Sequence, residues 1–316
     1  MADDLYASTR PDLVLGVGPS GLILANLTPR SPVRRALDLG SGCGLQALLA
    51  SRHAEQVIAT DINHRALSMT SLNAKRNGIA NVETRLGDLF GPIEGMRFDL
   101  ILCNPPYVIS PDETYTYRDG GRQGGGILHR IFRRVSEFLV EGGMAVINAQ
   151  WQIYAGDRWF SEPSRWTHGR DMDLWLICHG VAKPEDYARA WLEHGAVDTS
   201  VKPVARRWTR WYRAKNIEAL ATGTLILRRR SGENWRRAVH APRNPGGECG
   251  PQIERIFKAQ GDLQNGLNSG MILLSRFSLA SETRIISTVE HENAITLVVS
   301  DPDIGWNYAV DEMIHK

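Results

Sequence analysis

Apolar residues along this chain follow two alternating rhythms. Compact β-branched and aliphatic runs occupy 35–39, 56–60, 82–86, 98–103 and 144–148. Between them, at 45–51, 64–77 and 127–139, apolar positions recur every three or four residues, the spacing of one helix face. Gly78 follows the second helical stretch and Gly142-Gly143 follow the third, where helices stop. Two further strands are predicted at 173–178 and 221–228, with a helix at 184–194 that opens on Pro184. Strand-helix-strand alternation of this kind predicts an α/β fold, a parallel sheet with helices on both faces. Seven strands are complete by about residue 230. The breaker-rich stretch APRNPGGECGP (241–251) then changes the texture. A helix near 253–260 and strands at 271–274, 284–289 and 294–299 follow it. The expected division is an N-terminal helical or lid segment (1–34), a main domain (35–243) and a small α+β appendage (244–316).

Composition changes this picture little. The 316 residues carry 37 Lys and Arg against 35 Asp and Glu, a formal charge of +2 that names no partner. Cys43, Cys103, Cys178 and Cys249 lie far apart, with no zinc-ligand spacing, and read as reduced thiols. The N-terminus, MADDLYASTRPDL, is acidic and polar, unlike a signal peptide. No apolar run approaches the ~18 residues of a membrane span. The expectation is a cytoplasmic protein with no membrane partner.

Candidate chemistry begins at LDLGSGCG (37–44), a glycine turn between the first strand and the first helix. Glycines at 40, 42 and 44 let the backbone turn sharply and approach a ligand. Dinucleotide enzymes use a similar device, so the turn alone decides nothing. Asp38 is the first discriminating feature, because a pyrophosphate site disfavours a carboxylate there and a ligand with an ammonium group accepts one. Asp61 ends the second strand, where its two oxygens suit a ribose diol; it equally suits capping the helix that follows. Asp88, in GDLF, can accept a hydrogen bond from an adenine amino group with Leu89 packed beside it, or serve as a plain turn aspartate.

The set resembles the class I S-adenosylmethionine-dependent methyltransferases over about 35–230. The resemblance implies a seven-stranded Rossmann-like sheet ending in a β-hairpin, with S-adenosyl-L-methionine as cofactor. It places Gly40, Ser41, Gly42 and Gly44 along the methionine part, Asp61 and Ile62 at the ribose, and Asp88 and Leu89 at the adenine. CNPPYVIS (103–110) then supplies chemistry. Asn104-Pro105-Pro106-Tyr107 follows the fourth strand, which neighbours the first in this fold, so Asn104 also reaches the cofactor. An amide or aromatic NH₂ is a poor nucleophile because its lone pair is delocalised. The Asn104 side-chain oxygen and the Pro105 carbonyl can each accept one of its N–H groups, aim the lone pair and stabilise the positive charge that develops. Proline keeps the loop stiff, and Tyr107 is placed to stack on a planar substrate. Within the family this tetrapeptide is the signature for methylating planar nitrogens of adenine, guanine or glutamine. The chain also looks like the small-domain subgroup of these enzymes.

The remaining features stay open. The glycine-rich 117–126 and LGVGPSG (15–21) are candidate lids; 117–126 reads equally as a long turn. The tryptophan-bearing stretch 151–175 is too polar for a core strand and either roofs the pocket or packs over the sheet edge. Twelve Lys and Arg against two Glu between 202 and 243, with interleaved aromatics, suit nucleic acid or an amphipathic helix at 206–215 with solvated arginines. His129, His168 and His179 read as structural. The leading expectation is an N-methyltransferase acting on a small molecule or peptide, in specialised metabolism. The alternatives are a nucleic-acid base methyltransferase and an inactive binding module; a dehydrogenase is the weakest. Oligomeric state is not encoded in any of these features.

Overall fold

The computed structural model describes residues 1–3, 12–112, 126–193, 201–241 and 247–269, with strands at 284–289, 295–301 and 306–310. The chain divides into two compact units, one of Met1–Ala25 and Arg30–Pro242, the other of Asn26–Pro29 and Arg243–Lys316.

The larger unit is an α/β sheet. Its strands are β1 (Val33–Leu39), β2 (Ala54–Asp61), β3 (Val82–Leu86), β4 (Phe98–Cys103), β5 (Leu139–Tyr154), β6 (Met172–Ala182), β7 (Ile217–Arg229) and β8 (Arg236–His240). They lie in the order β3-β2-β1-β4-β5-β7-β6-β8. β1 pairs parallel with both β2 and β4, so chain direction away from β1 reverses there and a crevice opens at the strands' carboxyl ends. β7 runs antiparallel between β5 and β6. Seven strands thus follow the Rossmann-like methyltransferase order. The eighth, β8, pairs parallel with the edge of β6 and was not foreseen; two arginines in five residues hide it from an apolar-run criterion.

The predicted helices appear as α2 (Leu45–Ala50), α3 (His64–Arg76), α4 (Gly126–Arg134) and α6 (Pro184–Glu193). α1 (Pro19–Asn26) lies in the segment expected to be helical or a lid, α7 (Val201–Ala214) covers most of the amphipathic helix read at 206–215, and α5 (Ser161–Thr167) is added to them. Asn63 caps α3 through its side chain, which accepts the Arg65 N–H at 2.9 Å. The main core lies between sheet and helices, around Leu37, Ile58, Ile101, Ile131, Phe132 and Ile147.

The stretch after residue 148 corrects a sequence expectation. β5 continues through Gln150, Trp151 and Gln152, all buried. Gln150 is tolerated because its amide donates to Thr222 Oγ1 at 3.0 Å and its oxygen accepts the Tyr187 hydroxyl. Trp151 and Trp175 are fully buried, and Trp166 stacks on Phe132 at 5.1 Å. These rings are core, and none of them lines the cavity described below.

The smaller unit holds α8 (Gly250–Ser269) and an antiparallel sheet, β11 (Trp306–Val310), β10 (Ile295–Asp301) and β9 (Arg284–Val289), in that order. The strand expected at 271–274 and the bulk of the candidate lid 117–126 fall outside the described residues.

Candidate active site

A cavity of about 600 Å³ opens at the carboxyl ends of β1, β2 and β4. Asp38, Gly40, Ser41, Gly42, Asp61, Ile62, Asp88, Leu89, Asn104, Pro105 and Pro106 all line it, as do Leu13–Gly16 and the start of α4. Gly44 and Tyr107 do not.

The glycine turn is held from beneath. Gly40 and Ser41 donate their N–H groups to the Thr60 carbonyl at 2.8 and 2.9 Å. Gly42 N–H donates to one Asp61 oxygen at 2.9 Å, and Asn63 N–H to the other at 2.8 Å. Each Asp61 oxygen keeps acceptor capacity, while burial pushes the carboxyl up against those hydrogen bonds. Gly40 and Gly42 have φ of 78° and 55°, with open space where a Cβ would stand. Gly44, at φ 86°, is different: a Cβ would lie 2.9 Å from the Thr70 methyl, so this glycine serves the close approach of α2 and α3.

Asp38 is 2% exposed. Its Oδ2 accepts the Ala47 N–H at 2.9 Å, at the start of α2. Burial pushes its carboxyl up to about 7, Ala47 opposing and the neighbouring Asp61 charge adding. At the other end of the cavity Asp88 pairs with Arg130 of α4, both about half exposed. Leu89 holds a left-handed φ of 47°, costly for a branched side chain.

Asn104 is fixed through both ends of its amide. Its nitrogen donates to Ser20 Oγ at 3.2 Å, and its oxygen accepts from the Asn148 amide at 3.0 Å. Tyr107 is 9% exposed and packs in the main core, where burial raises its phenol and a hydrogen bond with Ser20 opposes. Two helices beyond the sheet hold the rest of this loop. Ile109 N–H donates to the Tyr187 hydroxyl at 3.0 Å, and the Tyr212 hydroxyl donates to the Ile109 carbonyl at 2.5 Å. Trp208 Nε1 donates to Asp112 at 2.8 Å, and Arg207 pairs with the same carboxylate. Sequence reasoning placed Ser20 only within the candidate lid 15–21, whose Leu15, Gly16, Gly18, Ser20 and Gly21 line the cavity, and it missed Asn148, Tyr187 and Tyr212. For Asn148 there was a signal, a lone amide closing the apolar run of β5.

Residues 17–155 match the family model for the methyltransferase small domain. A ribosomal protein uL3 glutamine methyltransferase of Bradyrhizobium diazoefficiens is 36% identical over 141 residues, 40% of this chain and 43% of that protein. A release factor glutamine methyltransferase of Xylella fastidiosa is 35% identical over 137 residues, 40% of this chain and 50% of that protein. A putative protein N5-glutamine methyltransferase of Methanocaldococcus jannaschii is 33% identical over 145 residues, 43% of this chain and 72% of that protein. The chain belongs to the methyltransferase small domain family. Its matches span half or less of the first two relatives' own length. The methyltransferase small domain match takes in every cavity-lining residue from 18 onward. Helices α6 and α7, which hold the Ile109 loop, lie outside it.

No helix among the described residues is long and apolar enough to cross a membrane. Part of the basic stretch 202–243 is paired within the chain. Arg207 pairs with Asp112, Arg213 with Glu185, and Arg228 and Arg230 with Asp173.

Proposed function

We propose that this chain transfers a methyl group from S-adenosylmethionine to the side-chain amide nitrogen of a glutamine in a peptide or protein. The observation that carries the reading is one cavity lined both by the Asp38, Asp61 and glycine cradle and by Asn104-Pro105-Pro106. The relatives' named activities, all on protein glutamines, turn the acceptor away from a small molecule of specialised metabolism.

The donor set suits S-adenosylmethionine. Asp61 keeps a free acceptor site on each oxygen for a pair of ribose hydroxyls, and Gly40 and Gly42 leave room against the backbone. Asp38, buried and short of positive charge, suits the ammonium end. Asp88 and Leu89 suit the adenine, with Arg130 giving up or sharing its partner. When bound, the cofactor supplies an electrophilic methyl group on a positively charged sulfur.

Asn104 and the Pro105 carbonyl act on the acceptor. Each takes one N–H of the incoming amide, so the nitrogen lone pair turns out of conjugation and toward the methyl group. The same two oxygens stabilise the charge that grows on nitrogen. Neither oxygen is basic enough to keep the proton, which leaves to solvent. Tyr107 anchors the loop from the core side instead of stacking on the substrate.

The test is incubation of the purified protein with tritiated S-adenosylmethionine and synthetic peptides carrying one glutamine, or glutamate in its place. Label is expected in the glutamine peptides alone. Asn104→Ala is expected to lower kcat about 100-fold or more, with the cofactor Kd within a few-fold. Turnover that survives this change overturns the reading.

A further inference from the structure

Behind Asn104, one polar side chain from each of three adjacent strands continues a line across the sheet: Asn148 in β5, Thr224 in β7 and His179 in β6. Asn148 is 4% exposed and Thr224 is fully buried. The direction of every hydrogen bond in the line follows from one group that can only accept. The Ser20 carbonyl lies 2.9 Å from one end of the Asn148 amide, so that end is the nitrogen. Its second hydrogen faces the Asn104 side chain at 3.0 Å, so the atom of Asn104 that meets it is the oxygen. The other end of Asn148 is then its oxygen, 2.8 Å from Thr224 Oγ1, and the hydroxyl donates. That hydroxyl has a single hydrogen. His179 Nε2, 2.9 Å from the same Thr224 oxygen, therefore carries a proton of its own. Burial pushes the His179 imidazole down to about 4, which keeps it neutral near pH 7.

His179 sits where the register of β6 against β7 slips between Cys178 and Gly180. Bulges of this kind re-aim a side chain beside functional sites. Turning Asn104 over would set its NH₂ against the NH₂ of the buried Asn148, donor against donor, where a lost hydrogen bond is costly.

We propose that Asn148, held by Thr224 and His179, is a positioning residue that fixes Asn104 with its oxygen as the acceptor for an incoming N–H. The inference rests on the methyl-transfer reading and deepens it: the line makes the site demand a donor from its substrate. A glutamine amide has one and a glutamate carboxylate has none, so the line sets specificity for nitrogen as well as geometry.

The test uses the full chain, S-adenosylmethionine and a glutamine peptide that it methylates. Thr224→Val removes the hydroxyl at nearly constant volume and is expected to lower kcat about tenfold. Peptide KM and cofactor Kd are expected to stay within about twofold. Thr224→Ser is expected to restore the lost turnover, and in an Asn104→Ala background Thr224→Val is expected to add nothing. Equal turnover in the Val and Ser variants, or a loss carried by the cofactor Kd, overturns the proposal. A second arm needs no substrate: nitrogen-15 NMR of histidine-labelled protein near pH 7. A His179 ring protonated at Nε2 and bare at Nδ1 supports the line, and the opposite tautomer overturns it. If the wild-type protein methylates no peptide, the methyl-transfer reading fails, and the ring's tautomer still decides this one.

Discussion

Two buried aspartates sit in different halves of the same sheet, and their surroundings are opposite. Asp173, in β6, is fully buried and receives Arg228 at 2.7 and 3.0 Å and Arg230 at 2.8 and 2.9 Å. The Trp235 N–H adds a further bond at 3.2 Å. Burial acts to raise its pKa, but Arg230 and Arg228 outweigh it and hold the carboxyl below its ordinary value. Asp38, in β1, is as buried, yet among the described residues the Ala47 N–H is the hydrogen bond it is given, and Asp61 stands near it. Its carboxyl rises to about 7. A protein that surrounds one buried anion with cations and leaves another exposed to its own neighbours' negative charge has built two different things. The first is an internal strut. On the proposed function, the second is one half of an ion pair whose other half is the cofactor's ammonium group.

The comparison can be broken most forcibly at the strut. Asp173→Asn leaves Arg228 and Arg230, 16% and 18% exposed, without their counter-charge. A loss of about 3–5 kcal/mol in urea unfolding is expected. A loss below about 1 kcal/mol would mean the arginines find other partners. Next in size, Asp61→Ala is expected to weaken S-adenosylmethionine binding by about 1–3 kcal/mol in calorimetry. An unchanged Kd removes the ribose assignment.

The third effect is one of pH. Asp38 has its folded-state pKa raised from 3.8 to about 7, so its contribution to stability is present below about 4 and is lost as pH rises through 7. A cationic ligand reverses the sign, because it needs the ionised form. Affinity for S-adenosylmethionine is therefore expected to rise about tenfold from pH 6 to pH 8, and the slope is expected to vanish in Asp38→Asn. The last effect is the most pointed: because burial disfavours the ionised Asp38 carboxyl, Asp38→Asn is expected to raise ligand-free stability near pH 7.5, opposite in sign to Asp173→Asn.

The site was legible in sequence to the extent that its backbone is encoded locally. A glycine turn after a strand, an aspartate at the next strand's end and Asn-Pro-Pro after the fourth strand are read from contiguous residues. The cavity does bring Asp38, Gly40, Gly42, Asp61, Asp88 and Asn104 together. What escaped depends on contacts far apart in the chain. Ser20 and Asn148 lie 84 and 44 residues from Asn104, and no local pattern pairs them. Tyr187 and Tyr212 look like ordinary aromatics on helix faces until α6 and α7 bring both hydroxyls to Ile109. In the fold, the polar second half of β5 was misread because Gln150 and Gln152 break its apolar run; β7, through Thr222, supplies a partner for Gln150.

The place of β7 has a consequence for how the molecule is made. By residue 131 every described residue that lines the cavity has been synthesised, and by residue 154 the parallel strands β1–β5 are complete. The open flank of β5 then waits for β7, which is made after β6 yet inserts between the two. Thr224 reaches Asn148 across 76 residues of chain, a late and non-local closure. On the proposed function, the residues of the cofactor cradle thus precede in the chain the strand that holds Asn104 through Asn148. Until β7 arrives, the unpaired edge of β5 is also the part most open to mispairing with another chain.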